Sequence, residues 1–152
     1  RDDLRRNLLW EGYGMLAPGI FAHPSGNSEE LSALLKRAGC LHKTALFKAH
    51  AIDEVAKRPQ KILIGQCWQL DLLSEDYRCF TKRFQCVRQI LATNPASSEQ
   101  SFVLRILLMH EFRRILLRDP QLPSELLPGN WPGHYAQELC PDIYTLVLDG
   151  SE

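Results

Sequence analysis

The string His110-Glu111-Phe112-Arg113-Arg114 is the part of this sequence nearest to recognisable chemistry. Zinc hydrolases set two histidines four residues apart on a helix, with a glutamate between them as general base. Here Arg114 stands at the second histidine position, and a guanidinium cannot ligate zinc, so no metal site is expected. At about 100° per residue, His110, Arg113 and Arg114 share one broad side of a helix. Two readings of that cluster are open. Asp119, Glu125, Glu138 or Asp142 could pair with the arginines and pin the following loop. Alternatively, the arginines could hold the phosphates of a small molecule, for which planar, permanently charged donors are suited. Trp131 and His134 would complete such a pocket, while His110 by itself also fits a satisfied helix histidine.

Other catalytic patterns are missing. The chain has no Gly-x-Ser-x-Gly elbow, no cysteine placed with an evident base and no glycine-rich phosphate loop, so the residues themselves point away from an enzyme. Eighteen Lys and Arg balance eighteen Asp and Glu, which leaves no general positive field to grip a DNA backbone. The five cysteines are odd in number, never form C-x-x-C and sit mostly in apolar or helical runs; they read as reduced core residues of a cytoplasmic protein. No run of about 18 apolar residues and no signal-peptide pattern occurs, so neither a membrane span nor secretion is expected. The opening at Arg1, within an amphipathic pattern, suggests a fragment.

The elements that must position these residues fall into an α+β part and an all-α part, divided near Gly65. Helical spacing is expected over Asp3 to Glu11, stopped by Gly12 and Gly14. Met15 to Ala17 and Ile20 to His23 read as extended pieces, broken by Pro18-Gly19. Asn27 or Ser28 caps a second helix carrying Leu31, Leu34, Leu35 and Ala38, which ends at Gly39. Thr44 to Ile52 reads as extended, Asp53 to Lys57 as a polar connection ending at Pro59, and Ile62 to Ile64 as a further apolar stretch. That order resembles half of a ferredoxin-like β-α-β-β-α-β unit without its first strand.

Beyond Cys67, the spacing of Leu73, Tyr77, Phe80, Phe84, Val87 and Leu91 predicts a long amphipathic helix with the aromatic stripe in the core. Asn94-Pro95 ends it and Ser97 or Ser98 caps the next. Phe102 to Leu117 is apolar nearly all round and is expected to be buried on several sides. The proline-rich connection from Asp119 to Gly133 has room for one helical turn at Ser124 to Leu127, and helical spacing resumes over His134 to Leu148 despite Pro141.

Three stretches together resemble PaaX-type repressors of phenylacetic acid catabolism, from about Asp3 to about Leu148. They are Leu8-Leu9-Trp10-Glu11-Gly12-Tyr13-Gly14 with Leu16-Ala17-Pro18-Gly19, and Cys67-Trp68-Gln69-Leu70 with Tyr77, Phe80 and Phe84 behind it. The third and most specific runs Leu107-Leu108-Met109-His110-Glu111-Phe112-Arg113-Arg114, then Arg118-Asp119-Pro120, Leu122-Pro123, Glu125-Leu126-Leu127-Pro128, Trp131, Gly133-His134 and Cys140.

The resemblance implies a winged helix-turn-helix that reads DNA, a Cas2-like ferredoxin-like middle domain and a helical C-terminal domain. Residues 1–65 would be the middle domain lacking its first strand, which leaves a sheet edge open, and residues 66–152 the helical domain. It further implies a homodimer, induction by phenylacetyl-CoA, no cofactor, and DNA contact through the winged-helix domain rather than through this region. A CoA thioester carries phosphates that suit Arg and rings that suit apolar or aromatic surface, so His110, Arg113, Arg114, Trp131 and His134 become its candidate contacts. Two other readings stay open: a Cas2-like metal-dependent nuclease, and an acyl-CoA hydrolase with His110 or His134 as base.

Overall fold

The computed structural model describes residues 2–50 and 60–149. The chain divides into two compact units. The first holds the described residues up to Leu70 together with Pro120–Leu127; the second holds Asp71–Asp119 and the described residues from Pro128 onward. The class is α+β: helices predominate, beside one small sheet.

In the first unit, helix α1 (Asp2–Trp10) runs into strand β1 (Gly14–Ala17), which pairs antiparallel with β2 (Ile20–Ala22). Pro18 and Gly19 make the connection, with Gly19 at φ 83°, the left-handed conformation that a Pro-Gly turn of this kind requires at its third residue. The two extended pieces expected from the sequence are therefore one short hairpin, with Met15 opposite Phe21 and Ala17 opposite Ile20. Helix α2 (Ser28–Arg37) begins at Asn27, whose side chain accepts from the Glu29 N–H at 2.9 Å. It buries Leu34 and Leu35 and is closed by Gly39 at φ 64°, with the Cys40 N–H returning to the Leu35 carbonyl.

Two expectations in this unit are corrected. Thr44–His50 forms no strand, and the rest of that stretch, with the connection ending at Pro59, lies outside the described residues. The apolar Ile62 to Ile64 belongs to helix α3 (Gln60–Cys67). A short apolar run is compatible with either a strand or a buried helix segment, and periodicity alone does not separate them. The sheet among the described residues thus has two strands, and they do not by themselves make a ferredoxin-like sheet.

The second unit is built on α4 (Leu70–Thr93), α5 (Ser98–Leu116) and α6 (Pro132–Asp149). Leu73, Tyr77, Phe80 and Phe84 are buried along one side of α4, as their spacing requires. Ser97 caps α5 in a reciprocal capping box: its hydroxyl accepts from the Gln100 N–H, and the Gln100 side chain accepts from the Ser97 N–H. Helix α5 packs mainly on α6. The expectation that α5 is buried on several sides is wrong. Only one line, Ser101, Leu108 and Ile115, is buried, while Phe102, Val103, Ile106, Leu107 and Met109 stand about half in solvent. Helix α6 starts on Pro132, where a missing N–H costs nothing, and tolerates Pro141, which leaves the Gln137 carbonyl without its intrahelical donor. A single 3-10 turn, Ser124–Leu126, interrupts the proline-rich connection.

Candidate functional site

The residues singled out in the sequence sit at the C-terminal end of α5 and the start of α6, all within the second unit. Because α5 buries the face carrying Leu108 and Ile115, the helical repeat turns His110, Arg113 and Arg114 outward, and all three are exposed. Arg114 pairs with Glu111 on its own helix at 3.1 Å, and Glu111 also lies 3.5 Å from Arg83 of α4. Arg113 has no ion-pair partner among the described residues.

Two of the four internal partners considered for these arginines are engaged elsewhere. Asp142 lies 3.4 Å from Arg88, and Asp119 accepts from the Tyr77 hydroxyl at 2.5 Å. The neighbouring Arg118, rather than Arg113 or Arg114, reaches back to α4, pairing with Asp76 at 2.7 Å. His134 is exposed in the first turn of α6.

Trp131 is buried, with its ring edge-on to Tyr77 at 5.8 Å between centroids and 75° between planes. Space at this contact is so tight that a Cβ on Gly133 would fall 2.4 Å from the Trp131 indole nitrogen and 3.1 Å from the Tyr77 ring. Trp131 is therefore a core side chain, whereas His110, Arg113, Arg114 and His134 are on the surface. Tyr77 itself is fully enclosed; burial first, and then the Asp119 carboxylate it donates to, drive its phenol pKa strongly upward. The cluster Tyr77, Asp119, Trp131 and Gly133 was not singled out as a set in the sequence. Its one signal was a tyrosine within an apolar stripe, since a buried phenol needs a hydrogen-bond partner.

A matching arrangement stands in the first unit. The Trp68 indole N–H donates to the Gly12 carbonyl at 2.9 Å, and its ring lies flat enough against Gly14 that a Cβ there would come within 2.7–2.9 Å of ring carbons. Gly12 has φ 83°, a conformation glycine adopts without strain. Nearby, the Tyr13 and His23 rings meet with centroids 4.9 Å apart and planes tilted by 50°, and the His23 Nδ1 accepts from the Ser25 N–H, so its proton is carried on Nε2. Burial lowers the His23 pKa. Thus the glycine-rich opening and the Trp68 junction, which lie far apart in sequence, make one structural contact.

Two family models match the chain. One, described as the PaaX protein central Cas2-like domain, matches residues 1–62; the other, the PaaX-like protein C-terminal domain, matches residues 68–152. The transcriptional repressor PaaX of Escherichia coli (strain K12) is 34% identical over 147 residues, covering 95% of this chain and 46% of that protein. The chain thus spans about half the length of the curated relative it matches. No helix among the described residues is long and apolar enough to cross a membrane. With both halves matched in order by domains of one family, and a 34% identical member of it covering 95% of the chain, the chain belongs to the PaaX family.

Proposed function

We propose that this chain is the effector-binding and subunit-pairing region of a cytoplasmic transcriptional repressor of phenylacetate or related aromatic catabolism. The observation that carries this reading is the 34% identity to a transcriptional repressor, sustained over 95% of the chain. The effector is phenylacetyl-CoA, the protein works as a homodimer, and DNA is contacted by a winged-helix domain of the family rather than by this region. The balance of acidic and basic residues supports that division of labour.

The effector's phosphates are held by Arg113 and Arg114, with His110 one turn earlier on α5 and His134 as a further donor. Two exposed guanidinium groups in one helix turn, one of them without an ion-pair partner among the described residues, favour an anion as their ligand. Trp131 contributes by fixing the start of α6 rather than through an open ring face.

Thermal unfolding tests the reading. Ligand at 100 times its Kd stabilises a protein by about 2.7 kcal/mol, enough to raise the melting temperature by several degrees. Phenylacetyl-CoA is expected to do this where CoA and phenylacetate do not, and Arg113→Ala/Arg114→Ala is expected to lose the shift. An unchanged shift in that variant removes the arginines from the site; release of free thiol during incubation indicates a hydrolase instead.

A further inference from the structure

The outer face of α5 is the feature that the proposed function does not explain. Phe102, Val103, Ile106, Leu107 and Met109 are each 46–56% exposed. Beside them Ile90 of α4 is also exposed, and an open groove of about 570 Å³ runs between the two helices, lined by Val87, Ile90, Leu91, Pro95, Val103 and Leu104. A continuous apolar face of this kind marks an interaction surface rather than scattered exposure.

The charges on this face are arranged symmetrically about its centre. Glu99 and Arg113 lie seven residues to either side of Ile106, two full turns apart from it in opposite directions and close to the same angular position. Neither has an ion-pair partner among the described residues. Phe102 and His110 flank Ile106 at four residues on each side, and Val103 and Met109 at three. If this face met an identical face running the other way, with Ile106 on the twofold axis, Glu99 of each copy would meet Arg113 of the other. Phe102 of each copy would meet His110 of the other, apolar side chains would fill the rest of the interval, and each Met109 would approach the Val103 end of the other copy's groove. Arg105 and Arg114 project to the sides, opposite Leu107 and Ser98, so no like charges are brought together.

We propose that the outer face of α5 is a self-pairing surface whose occupant is a second copy of this chain, antiparallel about Ile106 and set in register by reciprocal Glu99–Arg113 pairs. This is an isologous contact, in which one patch serves as both halves of the interface. It deepens the pairing half of the proposed function and shares Arg113 with the effector half, so that effector phosphates and the partner copy's Glu99 compete for one guanidinium. The patch covers on the order of 400 Å² per copy, about half that of a standard interface, so pairing through α5 alone is weak and concentration-dependent, in the micromolar range.

Sedimentation of the 152-residue chain without any thioester, from about 1 to 200 μM, tests it. A reversible monomer–dimer equilibrium is expected, weakened at least about tenfold by Ile106→Glu, whose position is already solvent-facing. Glu99→Arg and Arg113→Glu are each expected to weaken it several-fold, while the double variant E99R/R113E, which restores opposite charges across the axis, is expected to return within about twofold of the original. The proposal is overturned if the chain remains monomeric throughout, if Ile106→Glu leaves the dimer unchanged, or if the double variant associates no better than the single ones. Because no effector is present, these outcomes say nothing for or against thioester binding.

Discussion

The two units are held together by different means. In the first, the Trp68 indole is pressed onto a glycine backbone: it donates to the Gly12 carbonyl and leaves no room for a side chain at Gly14. The helices here are short, and α1 buries Leu8 while leaving Leu9 and Trp10 exposed. In the second, long helices bury a stripe of large side chains, and the phenol of Tyr77 within it is satisfied by Asp119. A unit that relies on one close contact between distant residues should fail sharply when that contact is lost; one that relies on many packed neighbours should fail by degrees.

The largest effect is expected from Trp68→Ala. Loss of the indole and of its hydrogen bond should cost roughly 3 kcal/mol, read as a lower midpoint in urea unfolding. A loss below about 1 kcal/mol would remove the distinction between the units. Gly133→Ala follows at about 2 kcal/mol, because a methyl group must displace the buried Trp131 ring. Tyr77→Phe should cost about 1–2 kcal/mol through the bond lost to a carboxylate.

The pH dependence of the two units should also diverge. The folded Tyr77 pKa is raised, so its contribution is complete below the unfolded value near 10 and is lost as the pH rises beyond that. The folded His23 pKa is lowered, so its contribution is complete above about 6.5 and is lost as the pH falls below it. Base should therefore loosen the second unit and acid, by a smaller amount, the first. Tyr77→Phe and His23→Gln should each flatten the corresponding limb of a stability–pH profile; a limb unchanged in its variant assigns it to other groups.

Much of the second unit was legible in the sequence because helix periodicity is a local signal. The α4 stripe and the Ser97 cap both follow from spacing and capping chemistry. What failed there was the inference from composition to burial: Phe102 to Leu117 is apolar nearly all round, yet one side faces solvent, because periodicity cannot say which apolar face finds a partner. In the first unit the caps and the Pro18-Gly19 turn were legible, but α3 was not, since Ile62 to Ile64 suits either helix or strand. The candidate site was legible as chemistry but not as geometry. Spacing grouped His110 with the two arginines, but it could not show that Trp131 is enclosed by Tyr77 or that Arg114 already has Glu111 beside it.

The central claim, that this region binds an aromatic acyl-CoA, is tested most directly by isothermal titration calorimetry of phenylacetyl-CoA into the folded chain, with CoA and phenylacetate as matched controls. The account predicts saturable binding of the thioester at least about tenfold tighter than of either part, a difference of about 1.4 kcal/mol. Equal affinity for CoA and its thioester, or no heat from any of the three with a folded chain, would contradict it.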